Sequence, residues 1–123
     1  MKMVPKEWGS ELWIANNDYC GKILNLKKGY RSSIHKHKIK HETFFVIDGK
    51  VFMELGRKKW IMMPGSSVHI PRNRYHRFSG LEESKMIEFS SRHFESDSYR
   101  KTKSGRFDLQ EVDNLIKNTD EPL

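Results

Sequence analysis

The sequence predicts a single all-β domain, a β-sandwich or barrel, followed by one short helix. Three observations carry this prediction. Short apolar or alternating runs recur along most of the chain, and turn-forming residues separate them at the spacing of about 8–12 residues that is typical of sandwiches and barrels. Only the C-terminal segment repeats its apolar residues with a helical period. The 123 residues suffice for one hydrophobic core but not comfortably for two.

The predicted strands follow one another between glycine-, proline- and asparagine-containing turns. In chain order they cover residues 11–14, 20–26, 30–37, 43–47, 50–55, 59–63, 67–70, 75–78 and 85–89. The pair Asp48 and Gly49 stands between two apolar runs and predicts a tight hairpin, because both residues tolerate the positive φ angles of such a turn.

The end of the chain has a different pattern. Asp108 is a typical helix N-cap with Glu111 three residues later, and apolar residues follow on one stripe. We therefore predict three parts: a β-barrel over residues 1–107, a packing helix over 108–118, and a flexible tail over 119–123.

Charge and cysteine content restrict the classes of function. The net charge is +7 with 32% charged residues, but the lysines and arginines are scattered and no aromatic-basic motif accompanies them, so we expect no nucleic-acid partner. The single cysteine, Cys20, excludes an internal disulfide, and the N-terminal segment has no long apolar run. We expect a cytoplasmic protein without a membrane span.

Histidines and one glutamate form the candidate site. In an extended strand, His35 and His37 project to the same face, and Glu42 begins the inward-facing row that continues with Phe44. A carboxylate at the end of an apolar row needs a partner, and His76 opens a later strand. Three neutral imidazoles and one carboxylate suit a divalent transition metal such as Mn, Fe, Co, Ni or Zn, and they leave two positions of an octahedral ion open. We interpret His41 and His93 as residues without a chemical role.

The spacing of these residues resembles the two motifs of the cupin superfamily. Its first motif, G-x5-H-x-H-x4-E-x6-G, is matched without a gap, and its second, G-x5-P-x-G-x2-H-x3-N, is matched with two departures, Asn73 for glycine and Gly80 for asparagine. Asparagine is a residue that tolerates positive φ, so Asn73 preserves the turn. The resemblance implies a double-stranded β-helix, or jelly-roll barrel, with one metal per chain bound by the four side chains. The matched positions are Gly29, His35, His37, Glu42, Gly49, Gly65, Pro71 and His76.

A second, weaker resemblance covers nearly the whole chain. The segment 7–14, Gly21 with Lys22, and a late segment are similar to the cupin domain of type II phosphomannose isomerases and to lyxose-isomerase-like cupins. The late positions that match are Glu88, Asp97, Tyr99, Arg100, Gly105 and Arg106. This resemblance implies an aldose–ketose isomerase that acts on a sugar or sugar phosphate.

Such an isomerase polarises a carbonyl and its neighbouring hydroxyl on the metal while a base moves a proton between two carbons through an enediol-type intermediate. Glu42, Glu88 and His69 are the candidate proton carriers, with a structural role for Glu88 as the alternative. Lys22 and Arg72 are the candidate substrate-binding residues.

Two other functions remain open. The same ligand set suits a non-haem iron dioxygenase, and a cupin that binds a sugar or other small ligand without turning it over is also compatible with the motifs. We further expect a homodimer, because the N-terminal segment with Trp8 and Trp13 predicts an apolar edge strand that a partner covers by edge pairing or strand exchange.

Overall fold

Two antiparallel β-sheets and one short helix make up the fold, in a computed structural model that describes residues 1–117. This confirms the predicted all-β barrel. The elements are β1 (Lys2–Lys6), β2 (Gly9–Asn16), β3 (Tyr19–Leu26), β4 (Tyr30–Arg31), β5 (His35–Lys36), β6 (Glu42–Asp48), β7 (Val51–Leu55), β8 (Lys58–Met62), β9 (Ser67–Ile70), β10 (His76–Gly80), β11 (Ser84–Ser91), β12 (Tyr99–Arg100), β13 (Gly105–Arg106) and α1 (Leu109–Lys117).

The strands divide between a six-stranded and a seven-stranded sheet. The first has the order β1-β2-β3-β11-β6-β9. The second contains the path β12-β5-β10-β4-β13, and β7 pairs with both β10 and β8. Consecutive strands repeatedly cross from one sheet to the other, so residues that are distant in sequence meet between the sheets.

Alternation along the strands places the core between the two sheets. In β3 the side chains at even positions from Cys20 to Leu26 are buried while those between them are not. One cluster joins Leu24, Phe44 and Met86 of the first sheet to Met53 and other residues of the second. Its full membership is Trp8, Leu24, Leu26, Phe44, Val46, Val51, Met53, Met62, Ile70, Phe78 and Met86. The two inner faces therefore share one continuous apolar core.

The predicted hairpin at Asp48 and Gly49 is wrong. The turn exists and Gly49 has a φ of 91°, but β6 pairs with β9 and β11 while β7 pairs with β8 and β10. The turn is thus a corner at which the chain passes from one sheet to the other. A corner and a tight hairpin both require positive φ, so local sequence does not distinguish them.

The predicted strand over residues 30–37 is two short strands with a break between them. Ser32 and Ser33 are buried in the break. Ser32 donates its backbone N–H to the carbonyl of Phe78 and accepts the N–H of Phe78 with its side-chain oxygen. β4 ends at this break, and β5 begins after it at His35, which lies directly opposite His76 of β10.

The N-terminal segment also differs from the prediction. Residues Lys2–Lys6 form β1, which pairs with β2. Trp8 is buried in the core, with its ring 5.1 Å from that of Phe78. Trp13 donates its indole N–H to Glu11. Both tryptophans therefore make contacts within this chain. The expected apolar edge built from them is absent among residues 1–117.

The C-terminal helix begins where the sequence predicts. The Asp108 carboxylate accepts the backbone N–H of Gln110 at 3.0 Å, which caps α1. Glu111 is part of a different contact, 3.6 Å from the guanidinium of Arg31, and Val112 is buried. Residue 118 and the predicted tail at 119–123 lie outside the described residues. Within residues 1–117, no helix is long and apolar enough to cross a membrane.

Candidate metal centre

Three histidines from two paired segments converge at one end of the barrel interior. His35 lies in β5 directly opposite His76 in β10, and His37 follows one residue after β5. The ring centroids of His35 and His76 are 4.3 Å apart, and those of His35 and His37 are 5.2 Å apart. One ring nitrogen from each of the three histidines lies within 4.8 Å of the other two, a spacing that one metal ion can bridge.

Each of these histidines has its second ring nitrogen held by a backbone carbonyl. The Nδ1 atoms of His35, His37 and His76 lie 2.8, 2.7 and 2.9 Å from the carbonyl oxygens of Ser33, Asp97 and Arg74. A carbonyl oxygen only accepts, so each Nδ1 carries the proton and donates it. When such a ring is neutral, its Nε2 atom carries an unprotonated lone pair, which is the form that binds metals.

The protonated forms of His35 and His37 are disfavoured by burial. Burial, reinforced by the neighbouring His76, lowers the pKa of His35 to about 3. Burial also lowers the pKa of His37, although Glu42 opposes the change. Both rings are thus neutral at physiological pH.

Glu42 is the fourth candidate ligand. Its Oε2 lies 3.0 Å from Nε2 of His76 and 3.5 Å from Nε2 of His37. Among the described residues neither this oxygen nor the His76 nitrogen has a hydrogen-bond partner, although both are buried. A cation bound between these two buried atoms would give each of them a partner. Glu42 is not part of the group whose ligand atoms all lie within 4.8 Å of one another, so its oxygen is less well preorganised for a shared ion than the three histidine nitrogens.

The donor set fits a divalent transition metal. Three imidazole nitrogens and one carboxylate oxygen are borderline ligands that suit Mn, Fe, Co, Ni or Zn, and four donors leave two positions of an octahedral ion for other oxygens. The carbonyls behind the three Nδ1 atoms supply the outer hydrogen bonds that orient metal-binding histidines.

A buried lysine joins Glu42 to a second carboxylate. The ammonium of Lys40 lies 3.4 Å from Oε1 of Glu42 and 3.1 Å from Oε2 of Glu88, and it donates to Nδ1 of His93 at 3.0 Å. Burial alone would lower the pKa of Lys40, but Glu42 and Glu88 outweigh it and raise the pKa. The lysine is therefore a fixed positive charge between two carboxylates.

The neighbouring groups respond to that charge and to burial. Burial would raise the pKa of Glu42, but Lys40 and His76 outweigh it and hold the pKa well below its usual range. The pKa of Glu88 is raised, first by burial and then by the negative charge of Glu42. Burial, together with the adjacent Lys40, lowers the pKa of His93 to about 3, so His93 accepts from the lysine as a neutral ring.

A cavity of about 100 Å³ adjoins the histidines. Lys40, Glu42, Glu88 and His93 line it together with His35 and His37, and so does Lys22. Lys22 is 1% exposed; its ammonium lies 3.3 Å from Glu11 and 4.2 Å from the ring centroid of Trp13. The predicted candidates Lys22 and Glu88 therefore lie at the same cavity as the histidines.

Asp97 ties the segment between His37 and Glu42 to the barrel. Its carboxylate accepts the backbone N–H groups of Lys38 at 2.8 Å, of Ile39 at 3.1 Å and of Lys40 at 2.9 Å. Burial opposes ionisation of Asp97, but these donors outweigh it and lower the pKa. The same residue accepts the His37 Nδ1–H with its carbonyl, so one residue positions both ends of the segment.

Two predicted site residues lie away from this cavity. His69 points to the exposed outer face of β9, since Val68 and Ile70 beside it alternate inward. Arg72 is exposed and donates to the carbonyl of Ile39 at 2.6 Å. Arg100, and not Arg72, is the arginine that lines the cavity.

Sequence reasoning missed Lys40 and assigned no role to His93. The signal for Lys40 was present, because positions 40, 42, 44 and 46 alternate inward as one buried row. A lysine at the start of such a row, two residues before a buried glutamate, indicates a buried ion pair.

Residues 22–89 match the sequence profile of the cupin domain family. No curated protein matches the chain. Three solved structures illustrate the structural similarity. KdgF from Halomonas sp. has 21% identity and a TM-score of 0.66, with 71% of this chain and 81% of that chain covered.

The second is CapF, a capsular polysaccharide assembling protein from Staphylococcus aureus, with 20% identity and a TM-score of 0.70 over 80% of this chain and 33% of that one. The third is a sugar phosphate isomerase of the cupin superfamily from Silicibacter pomeroyi. It has 17% identity and a TM-score of 0.64, with 75% of this chain and 76% of that chain covered. Identities at this level indicate a shared fold.

Proposed function

The chain belongs to the cupin domain family, and from that premise we propose that it is a metal-dependent aldose–ketose isomerase acting on a sugar or sugar phosphate. The observation that carries the proposal is the convergence of three histidine ring nitrogens within 4.8 Å of one another, beside a cavity with buried acid–base groups. A purely structural metal site has no need of open coordination positions next to such a cavity.

The metal ligands we propose are the Nε2 atoms of His35, His37 and His76 and the Oε2 atom of Glu42. When bound, a divalent ion supplies Lewis-acid polarisation of two adjacent substrate oxygens. The other carboxylate oxygen of Glu42 lies 3.4 Å from the Lys40 ammonium. Glu42 is thus engaged on both sides, which favours a ligand role over proton transfer.

Glu88 is our candidate for the general base. Its pKa is raised by burial and by Glu42, which brings it closer to neutral pH, where a base and its conjugate acid are both accessible. Its Oε2 atom also accepts the hydroxyl of Ser90 at 3.0 Å, and with the Lys40 contact this fixes the carboxylate at the cavity wall. In the reaction, Glu88 takes the proton from C2 of the aldose and returns it to C1, while the hydroxyl proton passes from the C2 oxygen to the C1 oxygen.

Cations of the cavity wall suit a hydroxyl-rich or phosphorylated substrate. Lys22 and Arg100 both line the cavity. Both residues contribute to the positive net charge of +7, and they place part of it at the cavity. Sugar chemistry is supported by the names of two structural neighbours, a sugar phosphate isomerase and a capsular polysaccharide assembling protein.

The proposal is tested by incubating metal-loaded protein with a panel of aldoses and aldose phosphates in D2O. We expect one substrate to give its ketose with deuterium at C1, the carbon that receives the proton, because the base exchanges its proton with solvent. Glu88→Gln should abolish turnover while metal content is retained. Glu82→Gln, which changes an exposed glutamate, is the matched control and should leave turnover unchanged.

Two outcomes would contradict the isomerase. Iron-dependent oxygen consumption without isomerisation would assign the site to a dioxygenase. Saturable sugar binding by the metal-loaded protein with no turnover of any substrate would assign it to ligand recognition alone.

A further inference from the structure

A fourth histidine, His93, lies at the cavity without belonging to the metal group. It lines the cavity together with His35 and His37, and its ring centroid is 6.2 Å from that of His37. Within residues 1–117, the ring nitrogens that lie within 4.8 Å of one another belong to His35, His37 and His76. The position of His93 beside the cavity therefore calls for a role other than metal binding.

The ring of His93 is held in one orientation. The backbone N–H of His93 donates to Oδ1 of Asn16 at 2.8 Å, and its carbonyl accepts the side-chain N–H of Asn16 at 3.1 Å. The ring makes an edge-on contact with Trp13 at a centroid distance of 5.3 Å. On its inner side Nδ1 accepts from the Lys40 ammonium at 3.0 Å. Together these contacts fix the direction in which the other ring nitrogen, Nε2, points.

The hydrogen bond from Lys40 also fixes the tautomer of His93. An ammonium group only donates, so Nδ1 accepts and carries no proton. Burial and the adjacent Lys40 lower the pKa of the ring to about 3, and a neutral imidazole keeps one N–H, which is therefore on Nε2. The arrangement is the reverse of that in His35, His37 and His76, where Nδ1 donates to a backbone carbonyl and Nε2 is the nitrogen that can bind a metal.

The Nε2–H group of His93 is available to a ligand. Among the described residues it has no hydrogen-bond partner, because the one carboxylate oxygen within 4 Å, that of Glu95, lies at 3.7 Å. The Glu95 side chain is 78% exposed, so water solvates its carboxylate. Both residues line the cavity. His93 thus offers the cavity an uncharged, rigidly oriented donor.

We propose that His93 is a substrate-binding residue whose Nε2–H donates to a third substrate oxygen, next to the two that a metal ion would polarise. The inference rests on the isomerase proposal for the chemical class of the ligand, and it adds a requirement to that class. Because the rings of His93 and His37 are neighbours, the third oxygen belongs on the carbon adjacent to the chelating pair. The preferred ligand is then a polyol with at least three consecutive oxygen-bearing carbons.

Two hydroxy acids separate the third oxygen from the chelating pair. Glycolate offers a divalent ion its carboxylate and its α-hydroxyl, and glycerate adds one hydroxyl on the next carbon. Neither compound is an aldose or a ketose, so binding is measured without turnover. Calorimetric titration of the Co²⁺-loaded wild type should show that one enantiomer of glycerate binds about 10-fold more tightly than glycolate, which is the contribution of one hydrogen bond.

Three variants assign this preference to the ring nitrogen. His93→Phe keeps a ring against Trp13 but has no N–H, so it should bind glycerate and glycolate equally. His93→Gln has an amide that can accept from Lys40 and donate to the ligand, so it should retain part of the preference. His41→Phe is the matched control. The His41 ring is paired with that of His69 outside the cavity, and this variant should keep the full preference.

Long-range ¹H–¹⁵N NMR spectra of the metal-free protein test the tautomer without any ligand. The His93 signals, assigned by their absence in His93→Gln, should show a proton on Nε2 and none on Nδ1. This measurement decides even where His93→Phe does not fold.

The outcomes separate this inference from the isomerase proposal. A proton on Nδ1 of His93, equal binding of the two acids by the wild type, or an undiminished preference in folded His93→Phe would overturn the inference. A preference that His93→Phe abolishes, in a protein that isomerises no sugar, would support the inference and overturn the isomerase alone. Failure of the wild type to bind Co²⁺ would overturn both.

Discussion

Replacing Asp97 tests how the metal centre is held in shape. The Asp97 carboxylate accepts three consecutive backbone N–H groups, those of Lys38, Ile39 and Lys40, at 2.8–3.2 Å. These residues connect His37 to Glu42, so the carboxylate fixes the segment from which two candidate ligands project. Asp97→Ala removes the acceptor, whereas Asp97→Asn keeps one oxygen without the charge.

The magnitude follows from the number and burial of these hydrogen bonds. A hydrogen bond to a charged group contributes about 1.5–3 kcal/mol, and a buried donor left unpaired costs about 1–3 kcal/mol. Lys40 is buried, whereas Lys38 and Ile39 are exposed, so water can satisfy their N–H groups once the carboxylate is removed. We therefore expect Asp97→Ala to lower the free energy of unfolding by about 3 kcal/mol, and Asp97→Asn by about half as much.

Metal affinity should fall together with stability. The backbone carbonyl that accepts the His37 Nδ1–H remains in this variant, but the segment between His37 and Glu42 loses its anchor, and loss of outer contacts that orient metal ligands costs about 10- to 100-fold in affinity. Urea denaturation measures the first quantity, and calorimetric titration with Mn²⁺ or Co²⁺ measures the second. Asp113→Ala, which changes an exposed aspartate of α1, should alter stability by less than about 0.5 kcal/mol. Unchanged metal affinity and a stability loss under about 1 kcal/mol in Asp97→Ala would refute the reasoning.

Three further predictions concern the buried charge, the corner between the sheets and the thiol. Lys40→Met leaves two buried carboxylates without their cation, so it should lower the free energy of unfolding by about 3 kcal/mol or more. Lys38→Met, at an exposed position, should lower it by under about 1 kcal/mol. Urea denaturation measures both values. Equal losses would show that the buried cation has no special role. Gly49→Ala should destabilise the protein by about 1–3 kcal/mol more than Gly65→Ala. Both glycines have φ near 91°, but only at Gly49 would the added Cβ meet neighbouring atoms. Equal melting temperatures of the two variants would contradict this. Cys20 is buried and its pKa is raised, first by burial, so little thiolate forms at pH 8; the native thiol should react with a disulfide reagent only after denaturation, and rapid native reaction would contradict its burial.

Most of the strands, and the shared face of two candidate ligands, can be predicted from local pattern. Alternation fixes which residues face inward, so the pairing of His35 with His37 and the inward direction of Glu42 followed from their spacing alone. The positive φ of 64° at Asn73 likewise confirms the interpretation of that residue as a substitute for glycine in the second motif.

The remaining features depend on contacts between distant segments. Whether Asp48 and Gly49 form a hairpin or a corner is decided by which strands pair, and that choice lies outside the local sequence. Alternation places Lys40 in the inward-facing row with Glu42, but its second partner, Glu88, approaches from β11 and cannot be identified from the local sequence. Arg72 was a reasonable candidate by charge, but the turn before β10 directs it to the carbonyl of Ile39.

The metal content of the native protein tests the central claim most directly. We expect about one divalent transition-metal ion per chain in protein purified without a polyhistidine tag, as measured by elemental analysis. His37→Ala should lose this ion, and His69→Ala, which changes a histidine on the exposed face of β9, should retain it. Metal-free wild type in metal-supplemented buffer, or an unchanged one-to-one content in His37→Ala, would contradict the account.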